Sequence, residues 1–165
     1  MSTFSTKAYS KIPLTNPLPV IREYKDCDKS SVIALLRLNT PAYFSQLEES
    51  DLIYYLDYEV DRYFVLELDN SIVGCGGINF SADRTFATLS WDIVHPNHQG
   101  KSLGSMLLNY RLENIAKDPR VKDIKVRTSQ LVYKFYEKNG SKLIKIVKDY
   151  WAEGFDLYEM VWVKV

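Results

Sequence analysis

The stretch that decides the fold covers residues 91–112, "WDIVHPNHQGKSLGSMLLNYRL". It begins as an apolar strand, passes through a polar loop with two histidines, and continues as a segment with apolar residues at helical spacing. The first main-chain N–H groups of a helix have no partner within the helix and lie at the positive end of its dipole. A short glycine-containing loop that enters a helix therefore predicts a binding site for an anion.

The loop also supplies groups suited to a phosphate. Gly100 and Gly104 allow a tight turn and a close approach of the backbone, Lys101 adds a positive charge, and Ser102 adds a hydroxyl. The order of residues is neither Gly-x-x-x-x-Gly-Lys-Ser/Thr nor Gly-x-Gly-x-x-Gly, which counts against a nucleotide hydrolase and a dinucleotide-binding protein. This pattern alone is a weak signal and leaves the ligand open.

Hydrophobic periodicity on either side of this loop predicts a single α/β domain with a mixed sheet of six or seven strands. The predicted order is β-α-α-β-β-β-α-β-α-β-β. The second helix is expected to start from Thr40, with Pro41 at its first position, and Asp69-Asn70 to turn a hairpin. In the strand at residues 85–94, alternation predicts that Ser90 and Asp92 share one polar face.

Composition is that of one globular domain: 165 residues, 46% hydrophobic and 25% charged. Cys27 and Cys75 match no metal-ligand spacing and form no disulfide framework. No apolar run approaches the roughly 20 residues that span a bilayer, and the first residues lack the apolar stretch of a signal peptide. We expect a cytoplasmic protein without membrane association, with a flexible tail at residues 1–16 and the domain at residues 17–165.

The formal net charge of zero conceals an uneven distribution. Residues 41–92 carry ten acidic side chains against two arginines, whereas residues 100–150 carry twelve Lys or Arg against five acidic residues. An acidic region attracts cations and a basic region polyanions, although both can be ordinary solvated surfaces. No aromatic and basic interleaving of a known motif supports nucleic-acid binding.

Two motifs together resemble a known family. "VHPNHQGKSLG" (residues 94–104) resembles the acetyl-CoA loop of the GNAT superfamily of N-acyltransferases, Gln/Arg-x-x-Gly-x-Gly/Ala, with Gln99 and Gly104 on the pattern. "SQLVYKFYEKNGSK" (residues 129–142) is similar to its short helix, Leu/Phe-Tyr-Glu-Lys-x-Gly-Phe. The resemblance implies a mostly antiparallel sheet flanked by about four helices, and acetyl transfer from acetyl-CoA to a primary amine through a tetrahedral intermediate, without a metal. It leaves open whether the chain forms a homodimer.

The sequence departs from the family pattern at two positions. Ser102 stands where the family has its first glycine; we expect it in the first helical turn, where right-handed φ suits any L-residue. Ser141 stands where the family has Phe, which leaves the packing of the last hairpin open there.

The resemblance also implies how acetyl-CoA binds. The strand before the loop would pair with the pantetheine arm, the loop and helix start would hold the diphosphate, and backbone N–H groups near Asp92 and Ile93 would stabilise the oxyanion. Ser129 matches an Asn-like family position, although capping a helix is an equal alternative. The cofactor residues so implied are Ile93, Val94, Gln99, Gly100, Lys101, Ser102, Leu103, Gly104, Ser105, Ser129 and Tyr133.

Proton transfer needs two further groups. An alkylamine, with a pKa near that of lysine at about 10.4, must lose a proton before it attacks a thioester. Asp92 is the one carboxylate on the polar face of its strand and is the candidate base; the alternative is a structural polar residue. Tyr136 occupies the family's tyrosine position and would protonate the leaving thiolate, although composition alone would make it a core residue.

The acceptor is the least constrained part of this interpretation. Tyr43, Phe44, Ser90 and Trp151 are candidates for a pocket that takes a small-molecule or peptide amine, and ordinary packing is the alternative for each. His95 and His98 lack partners at metal-ligand spacing and are expected near the phosphates. A non-catalytic CoA-binding or interaction module with the same fold is the alternative function.

Overall fold

The computed structural model describes residues 17–163, so the predicted tail at residues 1–16 lies outside the described residues. The elements follow the predicted order, which is confirmed. The strands are β1 (Val20–Glu23), β2 (Arg62–Leu68), β3 (Ser71–Phe80), β4 (Phe86–Val94), β5 (Asp123–Thr128), β6 (Lys142–Ala152) and β7 (Phe155–Val163). The helices are α1 (Lys29–Leu38), α2 (Glu48–Tyr58), α3 (Leu103–Ala116) and α4 (Tyr133–Lys138), and none of those described has the length and apolarity to cross a membrane.

The seven strands form one sheet in the order β1-β2-β3-β4-β5-β7-β6. Every pairing is antiparallel except that of β4 with β5, which confirms the mixed, mostly antiparallel sheet. The parallel ladder runs from Phe86↔Asp123 to Leu89↔Val126 and stops there, although β4 continues to Val94. The two central strands therefore separate beyond Leu89 and leave a gap in the sheet.

Helices cover both faces of the sheet, and each face has its own apolar core. One core joins α3 and α4 to the sheet through residues such as Phe64, Leu107 and Met160. The other joins α1 and α2 to the opposite face through residues such as Leu36 and Leu52. Burial on both faces explains the continuous apolar run in β2, because alternation is lost where both faces are covered.

A bulge in β4 changes which side chains share a face. Cys75 pairs with Ile93 but Gly77 pairs with Ser90, so that two residues of β4 lie opposite Gly76, and Trp91 has a φ of 51°. As a result Asp92 contacts α3, whereas Ser90 bonds Asn79 on the α2 side. The prediction that Ser90 and Asp92 share one polar face is therefore wrong, because an extra residue reverses the alternation.

The second helix starts later than predicted. Residues 40–47 form turns, and α2 begins at Glu48 rather than near Thr40. The side chain of Glu48 accepts a hydrogen bond from the N–H of Ser45 at 2.9 Å, as in one half of a capping box. This local hydrogen bond favours a helix start close to Glu48.

Candidate active site

A cleft of about 960 Å³ occupies the gap between β4 and β5. The bulged end of β4 and the end of β5 form its floor, with the start of α3 and part of α4 on one side. The segment from the end of α1 through α2 bounds the other side. The splay of the two strands thus creates the cleft, and the elements around it supply its functional groups.

The start of α3 presents unpaired donors to this cleft. The N–H of Met106 makes the first helical bond, to the carbonyl of Ser102 at 3.0 Å. The N–H groups of Leu103, Gly104 and Ser105 therefore precede the helical ladder, and Gly104 and Ser105 line the cleft. Gly100 has a φ of 71° and open space around the position of a Cβ, so the loop allows close approach of a phosphate.

Ser102 does not adopt the predicted conformation. Its φ is 63°, in the left-handed region, and α3 begins one residue later. The expectation of right-handed φ is wrong because Ser102 precedes the helix instead of forming its first turn. This left-handed position explains why the family pattern has glycine there, since glycine alone adopts it at little cost.

Val94 directs its main-chain polar groups into the gap. The N–H of His95 donates to the carbonyl of Val73 at 2.8 Å, which makes Gly74–Val94 a pair without mutual hydrogen bonds. The carbonyl of Val94 accepts from Nδ2 of Asn39 at 3.2 Å and from Nε2 of Gln99 at 3.1 Å. By the same alternation, the N–H of Ile93 points towards β3, and that of Val94 points into the gap. The expectation of an oxyanion donor at the N–H of Ile93 is therefore wrong, because this N–H belongs to the ladder with β3.

Asp92 and Tyr136 meet at the bulge. The hydroxyl of Tyr136 donates to Oδ2 of Asp92, while Nη1 of Arg111 donates to Oδ1 of the same carboxylate. Tyr136 is 3% exposed; burial raises its pKa well above the ordinary tyrosine value, and the charge of Asp92 raises the pKa further. The two predicted catalytic residues, 44 residues apart in sequence, are thus directly hydrogen-bonded.

The opposite side of the cleft is aromatic and acidic. Phe44 stacks on Trp91 with ring centroids 6.4 Å apart. Trp151, on β6, also lines the cleft, and its indole N–H donates to the carbonyl of Thr128 at the end of β5 at 3.2 Å. The acidic residues that line this cleft, besides Asp92, are Glu48, Asp51 and Glu59. Burial raises the pKa of Glu48 above the usual glutamate value.

Comparison with known proteins agrees with this geometry. Residues 59–140 match the family model of the GNAT acetyltransferase domain. The chain belongs to the GNAT superfamily. An amino-acid acetyltransferase from Pasteurella multocida is 29% identical in an alignment over 122 residues, with coverage of 71% of this chain and 26% of the relative. The chain thus spans about a quarter of the length of that relative.

Solved structures share the GNAT fold. The ribosomal-protein-S18-alanine N-acetyltransferase from Escherichia coli superposes with a TM-score of 0.72 at 18% identity, over 88% of this chain and 94% of that one. An aminoglycoside 6'-N-acetyltransferase in complex with coenzyme A gives a TM-score of 0.71 at 17% identity, over 87% and 96% of the two chains. At these identities the likeness shows the fold alone.

Most of the cofactor residues predicted from the GNAT resemblance line the cleft. They are Ile93, Val94, Gln99, Gly100, Ser102, Gly104, Ser105 and Ser129. Three of the predicted residues lie outside the cleft: Lys101, Leu103 and Tyr133. Lys101 is exposed, and Leu103 is in the core at 8% exposure. The Tyr133 ring packs on that of Tyr158, with ring centroids 4.7 Å apart. Ser129 is buried, and its hydroxyl accepts from the N–H of Leu131 at 3.3 Å.

The acceptor candidates of this GNAT domain, Tyr43, Phe44, Ser90 and Trp151, also line the cleft. The rings of His95 and His98 pack edge to face, with their centroids 5.4 Å apart. Within residues 17–163, no group of three or more His, Cys, Asp or Glu is arranged to hold a metal ion.

Sequence reasoning missed Asn39 and Arg111. Asn39 follows α1 and Arg111 lies within α3, and neither belongs to the two motifs that carry the family resemblance. The one available signal for Arg111 was its place in the helix that follows the loop, four residues after the buried Leu107.

Proposed function

We propose that this GNAT domain transfers an acetyl group from acetyl-CoA to a primary amine. The observation that carries the proposal is one cleft that joins unpaired helix N–H groups to the hydrogen-bonded pair Asp92 and Tyr136. The diphosphate of CoA is an anion of the kind that a helix start binds. The amine is consistent with the names of the relatives, an amino-acid acetyltransferase among them.

The cofactor would lie along β4. The N–H groups of Gly104 and Ser105 would donate to the diphosphate, and the N–H of Val94 would pair with the pantetheine arm as an added strand does. The side chains of Asn39 and Gln99 support this edge because both donate to the carbonyl of Val94. The thioester would then lie near the bulge.

Asp92 and Tyr136 would divide the proton transfers. Asp92, at the bulge, would take a proton from the attacking amine, directly or through one water. Tyr136 would give its phenolic proton to the sulfur of the departing thiolate. A hydroxyl kept protonated by burial is suited to that role, because it holds its proton throughout the neutral range.

The acceptor that fits the other side of the cleft is a cationic amine, on a small molecule or a peptide. Glu48, Asp51 and Glu59 line this side, and Phe44 and Trp91 offer apolar surface to its carbon chain. Opposite charge draws a cation into a cleft even where each single pair is partly screened.

The test is release of CoA thiol from acetyl-CoA in the presence of a panel of amines: α-amino acids, a polyamine, an aminoglycoside and a peptide with a free N-terminus. The proposal predicts release above the amine-free control with at least one cationic amine, and mass spectrometry should show an amide product. Saturable CoA binding with no release for any amine would favour the non-catalytic module.

A further inference from the structure

A charged side chain lies inside the core beneath the cleft. Arg111 of α3 is 1% exposed, and its neighbours in the helix, Leu107, Leu108 and Ile115, are buried apolar residues. A cation is costly to bury unless it is paired and hydrogen-bonded. Its guanidinium donates to Oδ1 of Asp92, to the carbonyl of Gly77 at 3.1 Å, and through Nε to the carbonyl of Leu107 at 3.3 Å.

We propose that Arg111 is a positioning residue that holds the Asp92 carboxylate where it accepts the Tyr136 hydroxyl, so that the two form one proton path from amine to thiolate. This inference rests on the proposed function. It adds to that function a buried positioning residue and a direct route between the base and the acid.

The contacts of Asp92 leave it little freedom. One carboxylate oxygen accepts from Arg111 and the other from Tyr136. Gly76 lies opposite the bulge, and a Cβ there would be 2.6 Å from Oδ1 of Asp92 and 2.7 Å from Nη1 of Arg111. With 20% of its side chain exposed, Asp92 still reaches the cleft.

Arg111 is also the group that balances the charge of Asp92. The charge of Asp92 in turn acts on titratable side chains of four other elements: Tyr55 on α2, Tyr63 on β2, Cys75 on β3 and Tyr136 on α4. Burial raises the pKa of all four, that of Cys75 to about 12, so each is neutral around pH 7. Burial would lower the pKa of Arg111, but the contact with Asp92 outweighs it, and the pKa is raised.

The proton path returns both residues to their starting state. As the carbon–nitrogen bond forms, Asp92 accepts one proton from the amine nitrogen. As the carbon–sulfur bond breaks, Tyr136 gives its phenolic proton to the sulfur. The protonated carboxyl of Asp92 then donates its proton to the phenolate of Tyr136, its partner in the resting hydrogen bond, which restores the carboxylate and the hydroxyl. For an amine that enters neutral, the net result is one amide, one thiol, and one proton moved from nitrogen to sulfur. An amine that enters as an ammonium ion also gives one proton to solvent before it attacks.

The test compares the pH dependence of kcat for wild type, Arg111→Gln and Arg111→Lys. A neutral side chain leaves the Asp92 carboxylate without its counter-charge, which favours protonation. The acid limb of the profile in Arg111→Gln should therefore move up by about one pH unit or more. Loss of the hydrogen bond that holds the carboxylate should separately lower kcat at pH 7 about tenfold or more. Arg111→Lys keeps the positive charge, so the acid limb of its pH profile should stay within about 0.3 pH units of wild type.

A uniform loss of kcat at every pH in Arg111→Gln, with the acid limb of the pH profile unmoved, would overturn the inference, because a merely structural role has that effect.

Should Arg111→Gln fail to fold, the double variant Arg111→Gln/Asp92→Asn is compared with the single variant Asp92→Asn. In the double variant both buried partners are neutral. Equal residual kcat supports the inference, and a further tenfold loss overturns it. A wild type that releases no thiol with any amine overturns the proposed function and this inference together; wild-type turnover with an unmoved limb overturns the inference alone.

Discussion

The hydroxyl of Tyr136 on α4 donates a hydrogen bond to Oδ2 of Asp92 at the bulged end of β4. Without the bulge, Asp92 would point to the opposite face of the sheet, towards α1 and α2, because side chains of a strand alternate. The extra residue turns its carboxylate towards α3 and α4 instead. A local irregularity in one strand thus places the two candidate proton-transfer groups within one hydrogen bond, at the edge of the cleft.

Removing this hydroxyl should impair turnover without impairing cofactor binding. Tyr136→Phe is expected to lower kcat about 10²–10⁴-fold, the usual contribution of a general acid, with the Kd for CoA unchanged by calorimetry. Tyr110→Phe is the matched control, because Tyr110 is half-buried against the core, with its ring centroid 5.2 Å from that of Phe64. Wild-type kcat in Tyr136→Phe would contradict the assignment.

Ser102→Gly should stabilise the protein. The left-handed φ of Ser102 costs a non-glycine residue about 1–2 kcal/mol, and glycine removes this cost from the folded state. Glycine also has greater conformational freedom in the unfolded chain, which offsets part of the gain in stability. We expect the melting temperature in calorimetry to rise by about 2–4 °C. Ser50→Gly, in the right-handed helix α2, should instead lower stability by about 0.5–1 kcal/mol. A lower melting temperature for Ser102→Gly would show that the hydroxyl outweighs the strain.

Glu48→Gln should separate substrate attraction from stability. Burial raises the folded-state pKa of Glu48, so its contribution to stability is complete below the unfolded pKa and is lost as pH rises through the folded one. The variant should therefore melt at a higher temperature than wild type at pH 7, and this advantage should vanish below about pH 4. The KM for a cationic amine should rise about two- to fivefold, as expected for a partly exposed charge pair.

Glu49→Gln is the matched control for Glu48. Glu49 pairs with Arg37 outside the cleft, and this contact lowers the pKa of Glu49. Loss of that pair should not raise the melting temperature at pH 7, and the KM should stay at the wild-type value. An equal rise in KM for both variants would indicate a general effect of surface charge rather than a subsite at Glu48.

Gly76→Ala should disturb the Asp92 site through packing alone. The added methyl would lie 2.6 Å from Oδ1 of Asp92, and overpacking of this kind costs about 1–3 kcal/mol. We expect a lower denaturation midpoint and a lower kcat. Gly74→Ala is the control two residues earlier, where the nearest atom to a new Cβ is 3.4 Å away. Equal kcat in both variants would show that the position of Asp92 does not matter.

Local patterns were sufficient for much of this fold. The order of the elements could be predicted because apolar spacing differs between helix and strand. The two motifs located the start of α3 and the helix that carries Tyr136. The cleft position of Asp92 also follows from the sequence, although the stated reason, a shared face with Ser90, was wrong.

The rest depends on contacts between distant segments. The bulge arises from the pairing of β4 with β3, and a shift in register does not appear in the alternation of one strand. The burial of Arg111 requires an acceptor on β4 and a glycine on β3, neither of which is visible from its own helix. The φ of Ser102 depends on how the loop joins α3, which the letters of the loop do not specify.

The central claim is that the start of α3 holds the diphosphate of coenzyme A, and calorimetric titration tests it most directly. Titration with CoA should give saturable binding to one site, and pantetheine, which lacks the diphosphate together with the adenosine 3'-phosphate attached to it, should bind about tenfold more weakly or worse. No heat and no saturation with millimolar CoA, or equal affinity for CoA and pantetheine, would contradict it.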